Sequence, residues 1–346
     1  MSSHRTWIAL LGLLNGAALA IPIHAQDSVR YTGPHKTRAP ISIGNYPRVD
    51  GVRINFRDRS LERVRGINLT IWEPHEPATG KVTGLALGLP MTGAGDVDGI
   101  GLGVFGVSAT GVLRGITIGG IGAGSGGGVR GLAIGGIGVG SGGDLEGIIV
   151  GGIGAGGGGN ARGLMIGGIG AGVGGNMRGI ALGGIGVAAG GDMTGLLIGG
   201  IGAGTGGNLR GIAISGIGTG AGGDVTGLTI SGIGAGAGGT MKGIGIAGLG
   251  VGAPRIEGLF IAPAVGALHA RAIVIAPAFF RVEREGTFTG ASVSAVNFVR
   301  GSQRGLSIGV VNFAHKLHGV QLGVINVAAD QKSHRVLPIV NWGRGT

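Results

Sequence analysis

The sequence contains no cysteine. Disulfide staples, thiolate metal sites and a lipid-modified cysteine are therefore excluded, and stability has to come from packing and hydrogen bonding alone. Charged residues make up only 12% of the chain and aromatic residues only 4%. With 11 prolines and no strict Gly-X-Y period, the chain is not collagen-like. No apolar run reaches the roughly 18 residues of a membrane-spanning helix, and each glycine inside such a helix would cost about 1 kcal/mol relative to alanine.

What is abundant is glycine, 87 of 346 residues, set among aliphatic side chains that bring the hydrophobic fraction to 43%. Disorder goes with low hydrophobicity, so a mean hydropathy of +0.45 predicts that the chain folds. The net charge of +11 favours anionic partners in general. At the N-terminus, His4 and Arg5 precede an apolar stretch over residues 7–23, with small residues at Ala18, Ala20 and Ala25. That pattern reads as an export signal cleaved after Ala25, with Ala20 the second choice. The expected organisation is a signal peptide over 1–25, a polar segment over 26–50 and a repeat array over 51–346, most regular over 115–257.

The repeat decides the architecture. Glycines preceding an apolar-x-apolar triplet recur every sixteen residues from Gly115 through Gly131, Gly147 and onward to Gly243. In the unit GLAIGGIGVGSGGDLE, which starts at Gly131 as position 1, large apolar residues stand at positions 2, 4, 7 and 15, with a small residue or valine at 9. These spacings fit no helical period, whereas extended chain with bends fits them. If the chain turns at the pair Gly135 and Gly136, at the run 140–143 and at Gly147, all five positions point inward, with glycine supplying the positive φ that corners need. The fold expected is all-β, a parallel β-solenoid with one coil of about 16 residues per repeat. An antiparallel barrel or sandwich with one strand per repeat stands as the alternative, although its lipid-facing alternation and aromatic girdles are missing. Three buried aliphatics contribute about 5 to 9 kcal/mol against roughly 20 kcal/mol for ordering sixteen residues. One coil alone cannot fold, and stability has to accrue by stacking.

Toward the C-terminus the units become GLSIGVVNFA (305–314), GVQLGVINVA (319–328) and RVLPIVNW (335–342), and an upstream unit reads GINLTIW (66–72). These resemble the repeat-containing bacterial surface and outer-membrane proteins built from GVQIGLVNVA-like blocks. The resemblance covers about a quarter of the chain, and the glycine-rich middle departs from it by putting glycine where those blocks have Asn or larger residues. It implies a location in the cell envelope and carries over no activity.

Chemistry-bearing constellations are few. GAGSGG (122–127) matches GxGxxG, but no helix follows to meet a phosphate, so no cofactor site is expected. No Walker lysine or HExxH is present, and no nucleophile elbow is expected. The column Asp144, Asn160, Asn176, Asp192, Asn208 and Asp224 resembles calcium-roll corners, yet the period is wrong and half of it is Asn. It is expected to cap corner amides instead. His315, His318 and His334 lack the companions of a metal site and are expected at the surface. The central repeats hold too few carboxylates for a polysaccharide-cleaving β-helix, and the chain is expected to be no enzyme.

The sharpest polar signal is position 16, where Arg114, Arg130, Arg162, Arg178, Arg210, Lys242, Arg271 and Arg304 recur. With Glu146, Thr194, Thr226 and Glu257 at the same position, they form in a solenoid one exposed, mostly basic stripe. As a solvated edge it keeps the array soluble and unpaired. As a binding track it would take lipopolysaccharide phosphates or acidic glycans. Specific nucleic-acid binding is not expected, because stacking aromatics are missing. An outer-membrane or surface location is expected in either case.

Overall fold

In a computed structural model the chain is described over residues 40–72 and 79–343. The expected export signal lies outside the described residues. The chain divides into two compact units, Met1–Gly159 and Asn160–Thr346. Among the described residues all regular elements are strands.

Each unit is a parallel β-solenoid. In the first, Gly128–Gly135 pairs in parallel with Asp144–Gly151, placing Gly131 beside Gly147 and Leu132 beside Ile148. The short strands Gly138–Ser141 and Gly154–Gly157 pair in the same sense. In the second, Met177–Gly183 pairs with Met193–Gly199, and Gly186–Ala189 with Gly202–Thr205. An offset of one repeat at every step puts each residue beside its equivalent, so like stacks on like. The parallel register overturns the barrel or sandwich alternative.

One coil consists of a longer strand that passes through the position 1 glycine, a tight turn, a short strand and a glycine bend. Position 1 is glycine for two reasons. Gly147 has a φ of 114°, and a Cβ there would lie 2.1 Å from the Gly131 carbonyl oxygen of the coil beneath. The glycine pair serves differently from expectation. Gly135 and Gly136 do not have positive φ. They are needed for close approach, since a Cβ on Gly135 would stand 2.0 Å from the Gly138 carbonyl oxygen and one on Gly136 1.9 Å from that of Gly120.

The direction of the aliphatic columns corrects the sequence reading. Of the five positions expected inside, only 9 and 15 are buried, as at Val139 and Leu145, or Val187 and Met193. They are joined inside by position 3, where Ala133, Ile149, Ala181 and Leu197 are buried. Positions 2, 4 and 7 face outward, and Ile137 at position 7 is 52% exposed. The physical reason is a narrow interior. A Cβ on Gly157 would already meet Leu145 Cδ1 at 3.0 Å, and one on Gly245 would meet Phe260 Cδ1 at 2.8 Å. In several coils large and small residues complement each other: buried Ala161 goes with Met165, Met177 with Ala181 and Leu209 with Ala213.

Where the apolar interior ends, polar side chains replace it. In the first unit Arg53, Asn68 and Thr70 are fully buried. Arg53 pairs with Asp58, and its Nη1 donates to Asn68 Oδ1 at 3.1 Å. Asp58 also accepts from Thr70 Oγ1 at 2.9 Å. A buried pair survives only with its lone pairs occupied in this way. In the second unit Asn297, Asn312 and Asn326 form a buried amide ladder. Asn297 Nδ2 donates to Asn312 Oδ1 and Asn312 Nδ2 to Asn326 Oδ1, each at 2.7 Å.

The array also extends and ends otherwise than expected. Ile41–Ile43 already pairs in parallel with Val52–Ile54, so the solenoid takes in part of the polar segment assigned to 26–50. The unit expected at Arg335 reverses direction, and Val336–Trp342 pairs antiparallel with Val320–Val327.

Candidate functional site

Position 16 immediately precedes the corner glycine and faces outward in both units, but the two units surround it differently. In the first, register places Asp98 beside Arg114, Arg114 beside Arg130 and Arg130 beside Glu146. Arg114 Nη1 lies 3.0 Å from Asp98 Oδ1, and Arg130 Nε lies 3.5 Å from Glu146 Oε2. Lys81 contacts Asp98 as well. Burial raises the Asp98 pKa, but the hydrogen bonds and charges of Lys81 and Arg114 outweigh it and hold the carboxyl below its ordinary value. The same pairing raises Arg114. Here the expected stripe is a row of mixed sign, in which a carboxylate lies beside each arginine.

In the second unit the register runs Arg162, Arg178, Thr194, Arg210, Thr226, Lys242, Glu257, Arg271. Arg162, Arg178, Arg210 and Lys242 are exposed and make no ion pair among the described residues. Only Arg162 and Arg178 are direct neighbours, at a strand spacing of about 4.8 Å. In water they repel by roughly 0.8 kcal/mol, and threonines separate the other cations. Glu257 interrupts the row before Arg271. Arg304 is exposed further along, beside the stacked Gly290 and Gly305. The eight predicted residues thus divide into a paired group (Arg114, Arg130), an unpaired column (Arg162, Arg178, Arg210, Lys242) and two later cations.

Sequence reasoning missed what adjoins that column. Arg178, Gly179 and Ile180 are consecutive, and Arg178 and Ile180 are both exposed. The signal was present: if the charge at position 16 points outward, alternation through the corner glycine sends positions 2 and 4 outward and positions 15 and 3 inward. Assigning every large aliphatic to the core broke that alternation.

The Asn/Asp column caps amides, as expected. The backbone N–H of Asp192 donates to Asn176 Oδ1 at 2.7 Å, that of Asn208 to Asp192 Oδ1 at 2.7 Å and that of Asp224 to Asn208 Oδ1 at 2.8 Å. Any side-chain oxygen suffices, so Asn and Asp interchange. Asn208 Nδ2 also donates to Asp192 Oδ1 at 3.1 Å, which separates the two carboxylates by a donor.

No group of three metal-ligating side chains occurs among the described residues. His315 and His334 are exposed and His318 half-buried. GLSIG (305–309) does match the GxSxG letters, which the sequence reading passed over. Ser307 is nevertheless fully buried on a strand and pairs with Ser292 Oγ at 3.1 Å, so it is no nucleophile at an elbow. Compared with protein-family models, curated proteins and solved structures, the chain matches none of them.

Proposed function

We propose that the chain is an exported, non-enzymatic repeat protein of the bacterial cell envelope, with a structural, adhesive or shielding role at the outer membrane or cell surface. Its second unit binds anionic glycans or lipopolysaccharide along Arg162, Arg178, Arg210 and Lys242. The observation that carries the reading is that column: four exposed cations in register, without ion-pair partners among the described residues, on a framework that sets them one or two coils apart. Polyanions with evenly spaced charges match such a row, and binding along it weakens with salt. The envelope location rests on the leader-like residues 1–25 and on the resemblance of the C-terminal units.

Fractionation of native cells, followed by immunoblot, tests the location. The protein is expected in the envelope and released by carbonate or urea without detergent. Recovery in the cytoplasmic fraction sinks the reading, and retention until detergent sinks its peripheral character.

A further inference from the structure

The cation column leaves unused another exposed feature of the second unit, its outward aliphatic surface. At position 7, Ile169, Ile185, Ile201, Ile217 and Ile233 stand at the turn, each between 45% and 50% exposed. They stack by backbone bonds such as Ile201 N–H to Ile185 O at 2.7 Å. On the adjoining strand face Ile180, Ile212 and Ile244 are exposed at position 2, alternating with half-buried leucines. Apolar side chains scattered singly need no explanation, but columns contiguous over several coils do.

Three observations identify what covers this surface. First, cations flank it in register: Arg178, Arg210 and Lys242 are each separated from an exposed isoleucine of the strand face by the corner glycine alone. A row of cations beside a row of aliphatics matches an amphiphile with an anionic head and an apolar tail. Second, residues 160–259 contain no Phe, Tyr or Trp. Protein interfaces are anchored by aromatic residues, whereas acyl chains need no shaped anchor. Third, the same surface of a second copy would bring no acidic row to meet these cations. Between residues 160 and 256 the only carboxylates are Asp192 and Asp224, and both accept backbone N–H groups.

We infer that this surface adsorbs to the anionic leaflet of a lipid bilayer. The cations contact headgroup phosphates, and the isoleucine columns enter the boundary between headgroups and acyl chains. The headgroup half of this proposal rests on the cation column described above; the acyl half rests on the isoleucines alone.

The test is co-sedimentation of the full-length chain with phosphatidylcholine vesicles, with and without phosphatidylglycerol. Three proteins are compared: wild type, the triple variant Ile185→Ser/Ile201→Ser/Ile217→Ser, and the triple variant Arg162→Ser/Arg178→Ser/Arg210→Ser. Circular dichroism verifies the fold, heparin retention reads the cation column, and light scattering reads oligomeric state. The wild type is expected to pellet with the anionic vesicles. The isoleucine variant should bind them at least tenfold more weakly with heparin retention unchanged, and the arginine variant should lose the preference for anionic over zwitterionic lipid. Equal vesicle binding by wild type and isoleucine variant overturns the proposal. Absence of wild-type vesicle binding with heparin retention intact also overturns it and leaves the cation column standing. Self-association that disappears in the isoleucine variant, without vesicle binding, assigns the surface to a second copy instead. Loss of heparin retention already in the wild type refutes the cation column itself.

Discussion

Gly211 lies against Gly195 of the preceding coil so closely that a Cβ on Gly211 would stand 2.2 Å from the Gly195 carbonyl oxygen. Its φ of 125° is equally hostile to an L side chain. Gly211→Ala is therefore expected to destabilise by about 3 kcal/mol or more, since the obstructing atom is backbone and cannot rotate away. Gly220→Ala is the control: nothing lies within 4 Å of its Cβ, and its φ is not positive. It is expected to be neutral or stabilising by up to about 1 kcal/mol. Urea denaturation of both variants checks the contrast, and equal losses would contradict the stacking geometry.

The facing of the repeat is tested by a second pair. Leu209 is fully buried, whereas Ile217 is 48% exposed. Leu209→Ala is expected to cost about 2 to 5 kcal/mol, and Ile217→Ala less than about 1 kcal/mol. The reverse order would mean that position 7, rather than 15, faces the interior.

The acid limb of stability should respond to Asp98. Its folded pKa lies below the ordinary carboxylate value because Lys81 and Arg114 hold it ionised against the opposing effect of burial. A depressed carboxyl stabilises above the unfolded value of about 3.9 and loses that contribution as pH falls through the folded value. Asp98→Asn is expected to lower the urea midpoint at neutral pH and to flatten its fall between neutral and strongly acidic pH. An unchanged acid slope would show that the pair does not contribute.

Changing Arg162, Arg178 and Arg210 to Ser removes cations that make no ion pair among the described residues, so the fold should persist and stability change by no more than about 0.5 kcal/mol. Retention on heparin should shift to lower salt. Unchanged retention would remove the second unit's column as an anion-binding site.

Much of this architecture is legible in the residues, and the misreadings have physical causes. The sixteen-residue recurrence of glycine reveals the coil, and the Asn/Asp column reveals its capping, because each needs only one residue type at one spacing. Position 3 was not legible as core: it reads Thr117, Ala133, Ile149, Met165 and Ala181, and varies in size and type from coil to coil. Isoleucine at position 7 looks like core by hydropathy and is not. The asparagines of the C-terminal units were noticed only as a resemblance. Their role is to fill the interior beside turn carbonyls, as where Asn312 Nδ2 meets Leu322 O at 2.9 Å. The cation column was legible in its positions but not in its pairing, since only register brings Asp98 beside Arg114.

Because each residue of the regular coils rests on its own counterpart, a coil is also a unit of heredity. Excising residues 195–210 would bring Gly179 to rest against Gly211 and Ile180 against Ile212, pairs already of matching type. A lineage could then lengthen or shorten this protein by whole repeats through unequal recombination, with each step leaving the surviving contacts in kind.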